Sequence, residues 1–453
     1  MNNFGITSSE GICSSPLTYN LRGAFIAANN GEVFDIRDEI EDIKIHEGLH
    51  RSSIVVEIFI QDDKNMIDEL KLSGNERVSL LIERDEPVLG QQGFDINVFV
   101  SDISNYSEPK PSTKAYTLLC VSEHVYTNNK KLLNIAFEGN IKTLISNIVK
   151  TNLKISNFKT NASVKGLIKG IYPNLRPLEA ISWLLRNSFD NDTQIYFYES
   201  VKDGLILTSY GELLGQELYN NYNRHPFQQQ SMQSSSLEDI FEEERQKIRK
   251  MKSSLNVSKL NASSTGAFSS ILNKIDIADK SVSEPVPFKY LSQPMKMLND
   301  FPPIEKEMVI NSDGEDLLNN KQKQYYISYN SKAFDITSSA GRPDNYHFPT
   351  DQTILRGRAH MNNLDTTTVQ MTIPGDFNYK PGNIIQLDLL RGADVSEELA
   401  TGAEKFDSTT SGKYIVSSAT HHFGKDGYKI ITKVKKDSFI VKQLRNKKNV
   451  WKK

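Results

Sequence analysis

His46-Glu47-Gly48-Leu49-His50 has the H-E-x-x-H spacing. On a helix, two such histidines share one face and hold zinc while the glutamate polarises a water. The flanking residues argue against a helix. Gly48 would sit in its middle, at a cost of about 1 kcal/mol relative to Ala. Ile43 and Ile45 before the motif, and Ile54, Val56 and Ile58 after it, alternate with the period of a strand. Residues 46–53 therefore read as the connection between two strands. His124, His225, His347, His360, His421 and His422 offer no clear third ligand. His421-His422, at the end of a strand, reads as one packed ring beside one solvated ring. No catalytic residue, metal ligand or cofactor-binding residue is expected, and no cofactor.

Other chemistry is equally sparse. There is no G-x-S-x-G elbow, no P-loop and no dinucleotide fingerprint. Carboxylates are plentiful without visible pairing, so glycosidase chemistry stays open on motif grounds. Tyr196-Phe197-Tyr198 could stack bases, but such a run reads first as a strand with rings on both faces. Cys13 and Cys120 are the only cysteines, too few for a disulfide framework or a four-thiolate zinc site, and read as reduced thiols of a cytoplasmic product. A net charge of -2 makes no general demand for nucleic acid or membrane. No apolar run approaches membrane-spanning length, and the N-terminus lacks the pattern of a Sec leader.

The elements that position these residues are mostly strands. Around Val369–Leu389, Val369, Met371 and Ile373 alternate, Pro374-Gly375 breaks the run, Lys380-Pro381-Gly382-Asn383 turns, and Ile385, Leu387 and Leu389 alternate again. A helix-like segment, 351–363, precedes them, and a strand at 414–420 follows. Residues 20–125 predict about six strands, with apolar faces at Leu21/Gly23/Phe25, Ile43/Ile45, Ile54/Val56/Ile58/Ile60, Val78/Leu80/Ile82, Ile96/Val98/Val100 and 116–121. Turns are expected at 29–31, 73–75, 91–93 and 109–111, with a short helical turn at 67–72. That spacing suits a sandwich or barrel.

Between 132 and 215 the period changes. Ile141, Leu144, Ile145, Ile148 and Val149 form one helix face. Pro177 opens a second helix that turns Leu178, Ile181, Leu184 and Leu185 inward with Trp183 at their flank. A hairpin, 194–199 and 204–209, follows. The polar stretch 216–300 contains a loop near 228–236 and a charged segment, 238–252. Pro285, Pro287, Pro294, Pro302 and Pro303 mark an irregular linker. The end of the chain, Lys442–Lys453, has six basic residues and no acid.

Several stretches, in order, resemble baseplate hub proteins of contractile-tailed (myovirus) phages, and the N-terminal hub part of the VgrG spike proteins of type VI secretion. They are E-D-I-K-I-H-E-G-L with L-K-L-S-G-N-E-R-V-S-L-L-I within Glu41–Ile82, I-Y-F-Y-E-S-V-K-D-G-L-I-L-T-S-Y-G-E-L-L at Ile195–Leu214, G-A-F-S-S-I-L-N-K-I-D-I-A-D-K at Gly266–Lys280, and I-P-G-D-F-N-Y-K-P-G-N-I-I at Ile373–Ile385. The resemblance spans roughly residues 20–440. It implies an α+β, mostly β fold with two tail-tube-like β-barrel domains, a small α/β module and irregular linkers.

The implied divisions are 1–130, a first barrel; 131–215, the module; 216–300, a polar insertion contributing to the second barrel; 301–349, a linker or small subdomain; 350–441, the second barrel; and 442–453, a basic tail. The implied role is a structural virion protein in the tail baseplate, assembled in the host cytoplasm. As a homotrimer it would join the hexameric tail tube to the trimeric central spike. It would contact baseplate wedge proteins, and DNA would pass through its channel without specific binding, past a polar or acidic lining. No membrane insertion by this chain is implied, and the partner-interface residues stay unknown. Alternatives are the hub of a phage-derived injection system, or a tail-associated zinc peptidase or cell-wall hydrolase.

Overall fold

The computed structural model describes residues 15–440 apart from 225–236, 256–265, 291–295, 304–321, 329–354, 390–405 and a few breaks of one to five residues. The described part is mostly β with short helices, as the α+β expectation has it. His225, His347, the 228–236 loop, the residues before 355 of the 351–363 helix, and the basic tail lie outside the described residues.

The first array is β1 (Asn20–Ala27), β2 (Val33–Asp35), β3 (Ile40–Gly48), β4 (Val55–Asp62), β5 (Arg77–Glu86), β6 (Gly90–Lys110) and β7 (Thr113–Val121), with helix α1 (Met66–Glu69) between β4 and β5. Strand order is β2-β1-β5-β6-β7-β4-β3. β2 and β3 belong to one bent run: Val33–Asp35 pairs with β1, and Ile40–His46 with β4. Ile36 N–H donates to Ala24 and Gln61 N–H to Glu39 across the bend, so the array returns on itself as a barrel does.

The alternating residues fill its interior; Ile45, Val56, Ile58, Val78, Leu80 and Val98 are fully buried. β1 departs from the expected face. A bulge between Leu21 and Gly23 shifts the register, so Ala24 and Ile26 face inward while Phe25 is 40% exposed. A bulge inserts a residue and inverts the faces beyond it. The turn expected at 91–93 is strand, because these residues pair with β5 and the reversal falls between Glu86 and Gly90.

The module follows: α2 (Glu123–Asn129), β8 (Ala136–Asn140), α3 (Ile141–Asn147) running into a π-helical turn (Ile148–Asn152), β9 (Phe158–Thr160), β10 (Leu167–Ile171), α4 (Pro177–Arg186), β11 (Ile195–Ser200), β12 (Gly204–Ser209) and α5 (Tyr210–Leu214). The Asn140 side chain caps α3 by accepting from Lys142 N–H at 2.8 Å. Ile141, Leu144, Ile145, Ile181 and Leu184 form the module's core as their helical spacing requires.

The second array starts with β13 (Asn220–Asn223), α6 (Leu237–Gln246) and β14 (Lys250–Leu255). A separate small sheet of β15 (Ser269–Asp276), β16 (Ser281–Val282), β17 (Val286–Lys289) and β18 (Gln322–Ser328) intervenes, so the proline-marked stretch is partly strand. Helix α7 (Gly357–Leu364), β19 (Thr367–Pro374), β20 (Ile384–Asp388), β21 (Gly412–Gly424) and β22 (Gly427–Lys436) complete it. β19 and β20 do not pair with each other: β19 lies between β14 and β22, and β20 between β13 and β21. The path β14-β19-β22-β21-β20-β13 closes through a parallel bridge from Asn223 to Lys247, three residues before β14. The sequence reading missed β22, whose Tyr428, Ile430, Thr432 and Val434 are buried.

β21 joins the arrays. Its first half pairs with β20; beyond a bulge between Val416 and Ser418, Ser418–Phe423 pairs with β3. One sheet therefore runs through both arrays, and one hydrophobic core fills them.

Candidate functional site: the joint between the arrays and its outer face

β3 and β21 alternate, so the joint has an inner and an outer row. On the inner row Glu47 and His421 are buried to 2% and 0% exposure. His421 Nδ1 shares a hydrogen bond with the Tyr428 hydroxyl at 2.9 Å, and its Nε2 lies 3.5 Å from Glu47. The edge of Phe94, from β6, packs against the imidazole at 5.0 Å.

Arg84 crosses from β5 into the second array. Its guanidinium donates to the carbonyls of Pro16 at 2.5 Å and Gly375 at 3.1 Å and pairs with buried Glu86. It stands 5.3–5.6 Å from the rings of Phe241, Phe377 and Tyr428. One side chain thus ties the N-terminal segment, the turn after β19, α6 and β22 together. Close by, Asp376 accepts from the Tyr219 hydroxyl at 2.6 Å and faces Arg245 at 3.9 Å.

On the outer row, His422 pairs with Asp42, and Lys44 lies 3.3 Å from the same carboxylate. His46 bonds Thr420 at 3.0 Å and lies 3.3 Å from Glu57. Asp42, Lys44, Glu57, Phe59, Ser104 and Thr117 line a shallow hollow of about 460 Å³. Across β22 and β14 the face continues with exposed Lys433, Lys250 and Lys252.

The H-E-x-x-H residues lie on a strand and the turn after it, not on a helix. His46 and Glu47 belong to β3, which runs three residues further than expected because β21 pairs with its other edge. Their side chains therefore point to opposite faces. His50, in the turn, packs edge-on to Tyr196 with ring centroids 5.5 Å apart. Burial lowers the pKa of His46 and of His50. Among the described residues no three His, Cys, Asp or Glu side chains gather as a metal site. His360, fully buried against Tyr210 and hydrogen-bonded to Tyr196, is pushed down to about 4 by burial. His124 shares a hydrogen bond with the Ser52 carbonyl at 2.7 Å. Tyr196, Phe197 and Tyr198 are all buried, so no ring of that run offers a face for stacking. Elemental analysis of the purified protein is expected to find far less than one zinc per chain, unchanged by His46→Ala; one zinc per chain lost on that substitution would contradict this geometry.

Sequence reasoning missed Arg84 and Lys436 and the role of Glu47, because each packs against residues distant in the chain. Lys436, fully buried on β22, donates to the Ser411 carbonyl at 2.8 Å between the rings of Tyr414 and Phe439. Burial pushes its pKa down to about 7, with Asp407 opposing. An unfolded lysine titrates near 10.4. As pH falls from about 10.4 to about 7, the unfolded chain takes up a proton that the folded chain refuses, so stability is lost over that window and flat below it. Lys436→Met is expected to raise stability at pH 7 by ~1–4 kcal/mol, the gain shrinking toward pH 10. Denaturant midpoints at the two pH values check it; equal effects at both would contradict it.

No protein-family model matches the chain, and no curated protein matches it in sequence. Solved structures do. The tail protein from Neisseria meningitidis MC58 aligns over 92% of this chain and 97% of its own at 9% identity, with a TM-score of 0.50. The 43 kDa tail protein of prophage MuSo2 from Shewanella oneidensis aligns over 92% and 99% at 8% identity, with a TM-score of 0.51. The E. coli c3393 protein, a component of the type VI secretion system, aligns over 93% and 77% at 8% identity with a TM-score of 0.43, too low to extend the likeness. The chain has the fold of these two tail proteins over nearly its whole length. No helix among the described residues is long and apolar enough to cross a membrane.

Proposed function

We propose that the chain is a structural component of a contractile phage tail, and specifically the baseplate hub adaptor between a hexameric tail tube and a trimeric central spike. The observation that carries this reading is the single sheet running through two ring-like arrays of one chain, on a fold shared with two tail proteins, one of them from a prophage. Three copies of a two-array chain present six similar faces on one side and threefold symmetry on the other. That solves the mismatch between a six-subunit ring and a three-chain spike.

In this arrangement the subunit contact is heterologous, first array of one copy against second array of the next, and closes after three copies. β14 offers an edge for it: five of its six residues are exposed, and β19 is its strand partner. Burial above the ~1,600 Å² of a standard interface is expected, as obligate contacts require. The outer face common to both arrays forms the wall of a DNA channel, and the assembly belongs to the virion. Lys250, Lys252 and Lys433 make that wall less acidic than the sequence suggested. A wall of mixed charge holds phosphates less firmly than a basic one. The role needs no enzymatic activity. Electron microscopy of the chain mixed with its spike partner tests the reading: a threefold ring with a central hole is expected, and unassembled particles in the mixture would contradict it.

A further inference from the structure

Residues 130–176, the first half of the module, hold nine basic side chains and one acid, Glu138. Residues 20–125 hold 20 acidic against 10 basic side chains. The whole chain nets -2, so opposite charges are segregated along it rather than mixed. Segregated charge attracts unlike surfaces to each other and steers their encounter.

The basic surface has an apolar centre. Among the described residues β8 and β10 pair only with each other, Ala136–Asn140 against Leu167–Ile171. The ladder runs on past the strands. Tyr172 N–H donates to the Ile135 carbonyl at 3.1 Å, and Leu133 and Leu175 exchange hydrogen bonds of 2.7 and 3.1 Å. On this ribbon Leu132, Ile135 and Ile171 are each more than half exposed. Lys130 and Lys131 lead into it, and exposed Arg176 leads out of it. Lys169 pairs with Glu138 at 2.9 Å. No salt bridge reaches Lys130 or Arg176 among the described residues. Large aliphatics grouped in water mark an interaction surface.

A second exposed apolar group lies on the first array. Phe25 of β1, Val33 of β2 and Leu81 of β5 are each at least 40% exposed. Phe25 pairs with Asp35 and with Ser79, which stand two residues from Val33 and Leu81. Period two therefore puts all three on one face. Asp85 of β5 and Asp95 of β6, the latter opposite Leu81, share that face; both are exposed, and no salt bridge reaches either among the described residues. Asp35 and Glu83, also on it, are held by Arg37 and Arg22, and Arg77 bonds Asn97 at 2.9 Å. The charge left uncommitted there is acidic.

We propose that the β8–β10 ribbon of one copy docks on the outer β2–β1–β5 face of the next copy's first array. Leu132, Ile135 and Ile171 meet Phe25, Val33 and Leu81, while Lys130 and Arg176 face Asp85 and Asp95. A second copy is the occupant because one chain carries both halves, aliphatic against apolar and uncommitted cation against uncommitted carboxylate. Both faces are exposed in the single chain, so neither covers the other within it. Two different faces in contact make a heterologous, head-to-tail interface. It adds to the contact between arrays in the hub reading, and rests on that reading for closure at three copies.

The test is sedimentation of the full chain at low salt. The natural chain is expected to associate as its concentration rises. Lys130→Glu/Arg176→Glu and, separately, Asp85→Lys/Asp95→Lys are each expected to weaken that association about tenfold or more, with unchanged circular dichroism. An equimolar mixture of the two variants is expected to restore it, since each ribbon then meets a face of opposite charge. If Asp95→Lys disturbs the fold, Asp85→Lys alone takes its place. A natural chain that stays monomeric, variants that associate as the natural chain does, or a mixture no tighter than either variant alone would each overturn the proposal. Retardation of duplex DNA by the natural chain, lost in Lys130→Glu/Arg176→Glu while self-association persists, would assign the ribbon to nucleic acid and also overturn it. The two readings fail separately. Association weakened and restored as described, in a chain whose spike complex holds other than three copies, keeps this contact and removes the hub reading; a complex of three copies indifferent to the reversals does the opposite.

Discussion

Arg84→Met is expected to cost about 3–5 kcal/mol of stability, the range for removing one partner of a buried ion pair. The arginine is 2% exposed and Glu86 4%. Without the guanidinium, Glu86 keeps a buried charge with nothing to balance it. The carbonyls of Pro16 and Gly375 lose their donor, and three aromatic rings lose the cation between them. A double variant, Arg84→Met/Glu86→Leu, is expected to recover much of the loss, because the uncompensated charge goes with it. Urea unfolding of the three variants measures this. A loss below about 1 kcal/mol, typical of an exposed pair, would show that Arg84 does not hold the arrays together.

Gly375→Ala is expected to be comparably damaging through space alone. A Cβ at this position would stand 2.0 Å from a ring carbon of Tyr428. Tyr428 has nowhere to go: its ring stacks on Phe423 at 4.2 Å, leans on Phe377 at 4.8 Å and has Arg84 5.6 Å from its centre. Gly375 N–H also bonds the Tyr428 carbonyl at 3.1 Å, so the backbone cannot drift away without losing a buried bond. Overpacking usually costs 1–3 kcal/mol when neighbours can adjust; here the ring is locked, and about 3 kcal/mol or more is expected. Soluble Gly375→Ala protein with an unchanged unfolding midpoint would contradict the packing described for this corner.

Both effects centre on Tyr428, on the strand that sequence reading overlooked. The period-two patterns of β3 to β7 were legible because each strand buries one face and the residue type reports it. Pro177 and Pro374-Gly375 were legible because their backbone limits act locally. The edge of β3 was not, since its last residues are held by β21, some 370 positions later in the chain. The inverted face of β1 depends on a bulge that no residue type announces. Arg84 looked like an ordinary strand charge, and Glu47 like half of a zinc motif. Their roles come from the other array, and pairing across such distances leaves no periodic trace in either segment. The overall fold was legible for a different reason: shape-specifying stretches follow one another in order along the chain.

One chain with two joined arrays is proposed to adapt sixfold to threefold symmetry. The most direct measurement is the native mass of the complex formed with the spike partner, which counts chains. Three copies of this chain for each trimeric spike are predicted; any other copy number would contradict the account.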